Sequence, residues 1–381
     1  MRVVGLFAGI GGFESGLAAA GHSTILLCDN DPHALAVLAH RFPGVRRHGD
    51  VVDLEDLPPG TEVVAAGFPC QNLSMAGDKT GLDGAKSGVV DHLFRLLGRD
   101  PAPWVVIENV YFMLHLGRGA AMEGILGPLE RLGYRWAYRV VDTRAFGLAQ
   151  RRRRVFIVAT RTAADPRGVL LADNASSRPH EVPDIGRPIA FYWTEGRSGS
   201  GLMADATPPL KAGSSLGIPC PPAVLLPNGR VVTPPIEVAE RLQGFAAGWS
   251  SALRGREARY RWRLVGNAVS VPVAKWIGDR LNSAGEYDAS GDLPWKPNDP
   301  WPGAAWNAGS GRFVAERTEF PLRRPRGRLS AYKTEAWPDL SVRALRGFVT
   351  RARKGNLRYP PGFLERLERA MKRTDLVFRA D

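Results

Sequence analysis

The chain has 381 residues, 44% of them hydrophobic, with 51 Lys and Arg against 38 Asp and Glu, a formal charge of +13. No run approaches the roughly 20 apolar residues that cross a bilayer, and three cysteines, an odd count in a chain without a leader-like start, exclude a disulfide scaffold. The expectation is a cytoplasmic globular protein of two or three domains with an anionic partner. Nucleic acid leads over a membrane surface, because the basic residues are not gathered on one amphipathic helix.

In chain order, "RVVGLF" predicts a strand, "AGIGG" a glycine turn, "GFESGLAAAG" a helix stopped by Gly21, and "STILLCDND" a second strand ending in acids. This pattern opens a doubly wound α/β sheet that binds a nucleotide-like cofactor at the carboxyl ends of its strands. A dinucleotide fingerprint needs G-x-G-x-x-G, whereas Gly9, Gly11 and Gly12 give G-x-G-G behind an aromatic residue, Phe7. That favours a cofactor without phosphates whose adenine lies on Phe7; S-adenosylmethionine meets the description. Asp29, with Asn30 beside it, is expected at the ribose hydroxyls, and Asp50, with Val51, at the adenine amino group. Asp31 before Pro32 is the better N-cap for "PHALAVLAHRF".

"TEVVAAGFPCQNLSMAG" predicts a fourth strand and its exit loop, placing Cys70 on the same rim as Gly9 and Asp29. A helix-like "SGVVDHLFRLLGRD" precedes "PAPWVVIENVYFML", an apolar strand ending in Glu108 and Asn109. A carboxyl at the end of a buried strand is costly unless it has partners or a task. "RWAYRVVDTRAFGLAQRRRRVFIVAT" predicts a further strand pair whose arginines can supply a counter-charge for Glu108 and for a bound anion.

The ordered blocks "FAGIGG", "GFPCQNLS", "ENV", "QRRRRVFIVA", "TPPIEVAERLQGF" and "VGNAVSVPVA" resemble the bacterial and phage DNA (cytosine-5) methyltransferase family over roughly residues 3–160 and 228–280. The resemblance implies a Rossmann-like S-adenosylmethionine-dependent fold. It implies Cys70 as the thiolate that adds to carbon 6 of an extruded cytosine and Glu108 as the carboxyl at ring nitrogen 3. Arg154 would anchor Glu108, and Arg152 would hold the base or a neighbouring phosphate. Pro69 would restrain Cys70 and lie toward the cofactor, with Asn267 and Val269 near its methionine part. Gln71, Ser74, Lys79, Lys86, Asn109 and Gln150 complete the expected DNA-facing set, with Asn109 positioning the nucleophile loop. No metal is called for. Lys86 stands where the family usually shows arginine, and Pro235 and Ala246 depart from its usual arginine and proline.

Four segments follow: 1–160, catalytic and cofactor-binding; 161–227, a short recognition or connecting region; 228–281, the return to the catalytic domain; and 282–381, a basic extension. The extension carries Trp306, Tyr332, Trp337 and Tyr359 among basic clusters, which suits phosphate contact and groove packing, and therefore target recognition. The expected partner is double-stranded DNA and the expected state a monomer, with a cognate restriction endonuclease as a candidate second partner. Rival readings are an RNA (cytosine-5) methyltransferase, a DNA-binding relative without catalysis, and a nicotinamide-dependent oxidoreductase. The last lacks the third fingerprint glycine.

Overall fold

Runs such as "VVAA" and "WVVIE" have no polar alternation and demand burial on both faces, which a parallel sheet between helices supplies. The computed structural model describes residues 1–68, 88–179, 181–197, 199–213, 220–296 and 299–377. It divides into two units: Met1–Ala145 with Arg153–Ser177 and Ala268–Arg323, and Phe146–Arg152 with Arg178–Asn267 and Arg324–Asp381.

In the first unit β1 (Arg2–Leu6), β2 (Ser23–Cys28), β3 (Arg46–His48), β4 (Val63–Ala66) and β5 (Trp104–Val110) lie in the order β3-β2-β1-β4-β5. All neighbours in that series are parallel. The winding direction reverses between β1 and β4, so the crevice at their carboxyl ends is where such a sheet takes its ligand. Helices α1 (Gly12–Ala19), α2 (Pro32–Arg41), α3 (Val89–Arg99) and α4 (Ala120–Arg131) run between the strands. Asp31 caps α2 as expected, accepting from His33 N at 3.0 Å.

Beyond β5 the sheet turns antiparallel through β7 (Arg153–Thr160) and β6 (Arg135–Asp142). A short α5 (Pro166–Leu170) follows. Arg139 on β6 is fully buried and donates to the carbonyls of Leu170, Asp173 and Thr318 and to Asn174 Oδ1, joining three segments.

The segment 282–381, expected as one appendage, is divided. Its first part, after α8 (Val271–Asn282), adds β12 (Leu293–Pro294), β13 (Ala304–Asn307) and β14 (Arg312–Val314), with β13 antiparallel to β6. This ladder covers what would otherwise be an open sheet edge. Arg312 pairs with Glu123 and Glu130 of α4. Trp306 is 5% exposed and stacks on Phe313 at 4.4 Å, so it serves the sheet and not a groove.

In the second unit β8 (Ile189–Phe191), β9 (Met203–Ala204), β10 (Ala223–Leu225) and β11 (Val231–Val232) form an antiparallel sheet in the order β11-β10-β8-β9. The unit also holds α6 (Ile236–Leu242), α7 (Arg261–Asn267), α9 (Val342–Lys354) and α10 (Phe363–Val377). Leu345, Phe348 and Val349 of α9 and Phe363, Leu364 and Leu367 of α10 share one core with Phe191, Ala223 and Leu225. Strands of two or three residues cannot bury a face alone, so the distant helices complete them. Trp337 is buried and Tyr359 stacks on Phe363, which gives these aromatics structural work. Phe348→Ala is expected to destabilise the second unit by about 3–5 kcal/mol, since the ring is fully buried and 4.7 Å from Phe191. Urea titration followed by tryptophan fluorescence checks this.

Candidate active site

The margin above β1, β2 and β3 gathers the residues expected at the cofactor. Phe7 leaves β1 with φ 55, a left-handed conformation unusual for a bulky residue, and its ring meets Phe68 edge-on at 5.9 Å. Gly9 N donates to Asp29 Oδ2 at 2.7 Å and Asp31 N to Asp29 Oδ1 at 2.9 Å. Asn30 Nδ2 donates to Asp50 Oδ2 at 3.3 Å, and Val52 N to Asp50 Oδ1 at 3.1 Å. Val51 is buried beside them. The glycines play different parts. A Cβ on Gly9 would meet nothing within 4 Å, which leaves an open cradle, whereas one on Gly12 would lie 2.3 Å from Val269 O. Gly12 therefore lets α1 start against the chain leading into α8.

Glu108 ends β5 at 7% exposure, and Arg154 of β7 reaches it with Nε 2.9 Å from Oε1. The pair follows from register, because Arg154 lies opposite Val110 and its side chain turns back along the strand pair. The point where a Cβ on Gly67 would sit is 4.0 Å from Glu108 Oε2 and 3.5 Å from Val269 Cγ2. The exit of β4, the carboxyl and the wall before α8 therefore meet. Asn109 Nδ2 donates to Phe68 O at 3.1 Å, tying the end of β5 to the last described residue before segment 69–87. Pro69, Cys70, Gln71, Ser74, Lys79 and Lys86 lie outside the described residues.

Several expected contacts are buried. Asn109 is 2% exposed and its amide serves backbone groups. Gln150 is fully buried in the second unit, donating to Leu242 O and accepting from Leu210 N. Arg152, 1% exposed and also in the second unit, donates to Gly266 O at 3.0 Å and Leu210 O at 3.4 Å. Gln150 and Arg152 are thus both buried and donate to backbone carbonyls of their own unit. Asn267 ends α7 in the second unit and is exposed. Arg153 stacks on Tyr111 at 3.7 Å and pairs with Glu319.

Sequence reading passed over Glu14, which nothing in "GGFESGL" marks as buried. Its carboxyl is 1% exposed, lies where a Cβ on Gly5 would be, and leaves Oε2 without a hydrogen-bond partner among the described residues. Burial pushes it up from 4.5 to about 8; a backbone hydrogen bond opposes this, and the nearby Asp29 charge adds a smaller upward push. The native state therefore holds this proton more tightly than the unfolded chain. The contribution to stability is complete below 4.5 and is lost as pH rises through about 8. Thermal melts from pH 5 to 9 are expected to show Glu14→Gln losing less stability than the parent over that interval.

The comparisons with known proteins agree with this geometry. Residues 1–190 match the model of the C-5 cytosine-specific DNA methylase family. The chain is 44% identical to the Type II methyltransferase M2.BsuMI of Bacillus subtilis (strain 168), across 98% of this chain and 99% of that one. The fold resembles the S. pombe Dnmt2 methyltransferase, with TM-score 0.54 and 15% identity over 74% of this chain and 98% of that one. It also resembles a prophage-encoded DNA modification methyltransferase of E. coli, with TM-score 0.51 and 18% identity over 74% and 99%. No helix among the described residues is long and apolar enough to cross a membrane. A glycine cradle beside paired acids, a carboxyl held by an arginine at the next strand exit, and a relative matching end to end converge: the chain belongs to the C-5 cytosine-specific DNA methylase family.

Proposed function

We propose that the chain methylates carbon 5 of a cytosine extruded from a specific double-stranded DNA site, through a covalent adduct on Cys70, with S-adenosylmethionine as donor. The observation that carries this reading is the Glu108–Arg154 pair beside Gly67 and Phe68, two residues before Cys70. The residues present fit the donor: Phe7 offers an aromatic edge for adenine, Asp29 and Asp50 offer carboxylate oxygens, and Gly9 faces open space. Bound there, S-adenosylmethionine supplies a methyl group on a sulfonium, an electrophile. Pro69, Asn30, Val51 and Val269 complete the proposed pocket.

Carbon 5 of cytosine is too electron-poor to take a methyl group unaided. Cys70 thiolate adds to carbon 6, electron density moves toward ring nitrogen 3, and Glu108 delivers a proton there. Arg154 holds the carboxyl in register and balances its charge when ionised. Carbon 5, now enamine-like, would take the methyl group from the sulfonium, which departs as a neutral thioether; the carbon 5 proton then leaves to a base, the nitrogen 3 proton returns to Glu108, and elimination restores the thiolate. The other cysteines are unsuited. Burial, reinforced by Asp29 and Asp50, pushes the Cys28 thiol up to about 12, and Cys220 is buried. The target atom lies inside the stack, so extrusion costs a few kcal/mol. Gln71, Ser74, Lys79 and Lys86 are assigned to the strand that carries the base. Arg152 acts as a positioning residue within the second unit, which supplies target recognition through 178–267 and 324–381 together.

In our reading the enzyme acts as a monomer beside a cognate endonuclease; its Bacillus relative is a Type II methyltransferase by name. Bisulfite sequencing of DNA from cells expressing the chain tests the function, with unconverted cytosines expected in one sequence context. Complete conversion of the DNA, or protection found in RNA instead, would sink it.

A further inference from the structure

The segment "RGREARYRWR", residues 254–263, holds five arginines and one glutamate, and neither flanking block, "TPPIEVAERLQGF" or "VGNAVSVPVA", assigns it a task. In the second unit it forms a turn into α7, and its arginines divide into one that is buried in its contacts and four that are exposed.

Arg261 is the root. Its guanidinium donates to Glu240 at 3.0 Å, to Glu237 at 3.1 Å and to Ser250 Oγ at 2.8 Å. Glu240, fully buried on α6, also accepts from Gly248 N at 2.6 Å and Ser250 N at 2.8 Å. One carboxylate therefore pins both the preceding loop and the arginine turn to α6. Arg254, Arg256, Arg259 and Arg263 are exposed. Arg259 and Arg263 flank the Tyr260 ring at 4.8 and 5.5 Å from its centroid, a stacking that holds the guanidinium planes. No carboxylate lies within ion-pair distance of Arg254, Arg256 or Arg259 among the described residues. Elsewhere arginines of this chain take carboxylate partners, as Arg312 and Arg353 do.

A rigidly rooted turn that keeps like charges together without counter-ions loses stability to repulsion unless an anion completes it. We propose that Arg254, Arg256 and Arg259 form a phosphate clamp on duplex DNA, contacting the backbone without reading sequence. This rests on the DNA reading above and names where the second unit holds its substrate. Guanidinium forks suit phosphate oxygens, and contacts confined to the backbone position a protein without specifying bases.

The test is the double variant Arg256→Ala with Arg259→Ala, whose side chains make no ion pair that folding needs. Fluorescence anisotropy on a duplex carrying the target site, and on one lacking it, is measured over a KCl series. Each phosphate contact contributes about 0.9 to the slope of log K against log salt, so the variant is expected to lose about 2 from that slope. The affinity loss should be equal on both duplexes, kcat at saturating DNA unchanged, and the slope restored by Arg256→Lys with Arg259→Lys. A slope equal to that of the parent overturns the clamp, as does a loss confined to the target duplex. A parent chain that binds and methylates no duplex overturns the functional reading instead.

Discussion

Cys70→Ser is expected to lose methyl transfer by on the order of 10⁴-fold or more while S-adenosylmethionine still binds. A serine hydroxyl is almost wholly protonated at neutral pH, and its oxygen is a far poorer nucleophile toward carbon 6 than a thiolate. The remaining machinery then has no activated carbon 5 on which to act. A duplex with 5-fluorocytosine at the target gives a second readout. After methylation the fluorine cannot leave as a proton, elimination stops, and the parent chain should run as a covalent DNA complex on a denaturing gel. The serine variant should form none. Methylation by Cys70→Ser at the parental rate, or a parental chain that forms no trapped complex, would remove the covalent step from the mechanism.

Glu108→Gln is expected to lower kcat by about 10²–10⁴-fold, with donor binding and DNA affinity held near the parental values. The amide keeps the shape of the carboxyl and can still donate to a ring nitrogen. It cannot deliver a proton as the ring gains charge. The Arg154 contact also changes from an ion pair at 2.9 Å to a neutral one in a site where Glu108 is 7% exposed. Single-turnover kinetics separates this from a folding defect, because a misfolded fraction lowers the amplitude and leaves the rate unchanged. A single-turnover rate equal to that of the parent would show that the carboxyl does not act on the base.

The first half of the fold was legible because its signals are local. β1, the glycine turn and α1 occupy consecutive residues, Asp31 caps α2 from within the same segment, and apolar runs mark β4 and β5. The residue types of the site were legible for the same reason, since an acid at the end of an apolar strand stands out. A side chain's type does not report its surroundings. Gln150 and Arg152 fit a block expected at DNA, and only the structure shows the amide and the guanidinium donating to the buried carbonyls of Leu242 and Gly266.

By itself the chain's sequence determined the order of the parallel strands' segments, the family to which the glycine turn and strand-end acid belong, and the basic balance that selects an anionic partner. Only the tertiary structure supplied the physical reason for the Glu108–Arg154 pair that the resemblance implied, because antiparallel register sets which side chains face each other. It likewise decided that β12–β14 close the sheet edge and that Phe348 and Phe363 complete a core begun at Phe191. Short strands carry no signal of the distant apolar face that will cover them. Burial is a property of the assembled chain, and so are the proton held by Glu14 and the arginines left without carboxylates at 254–259.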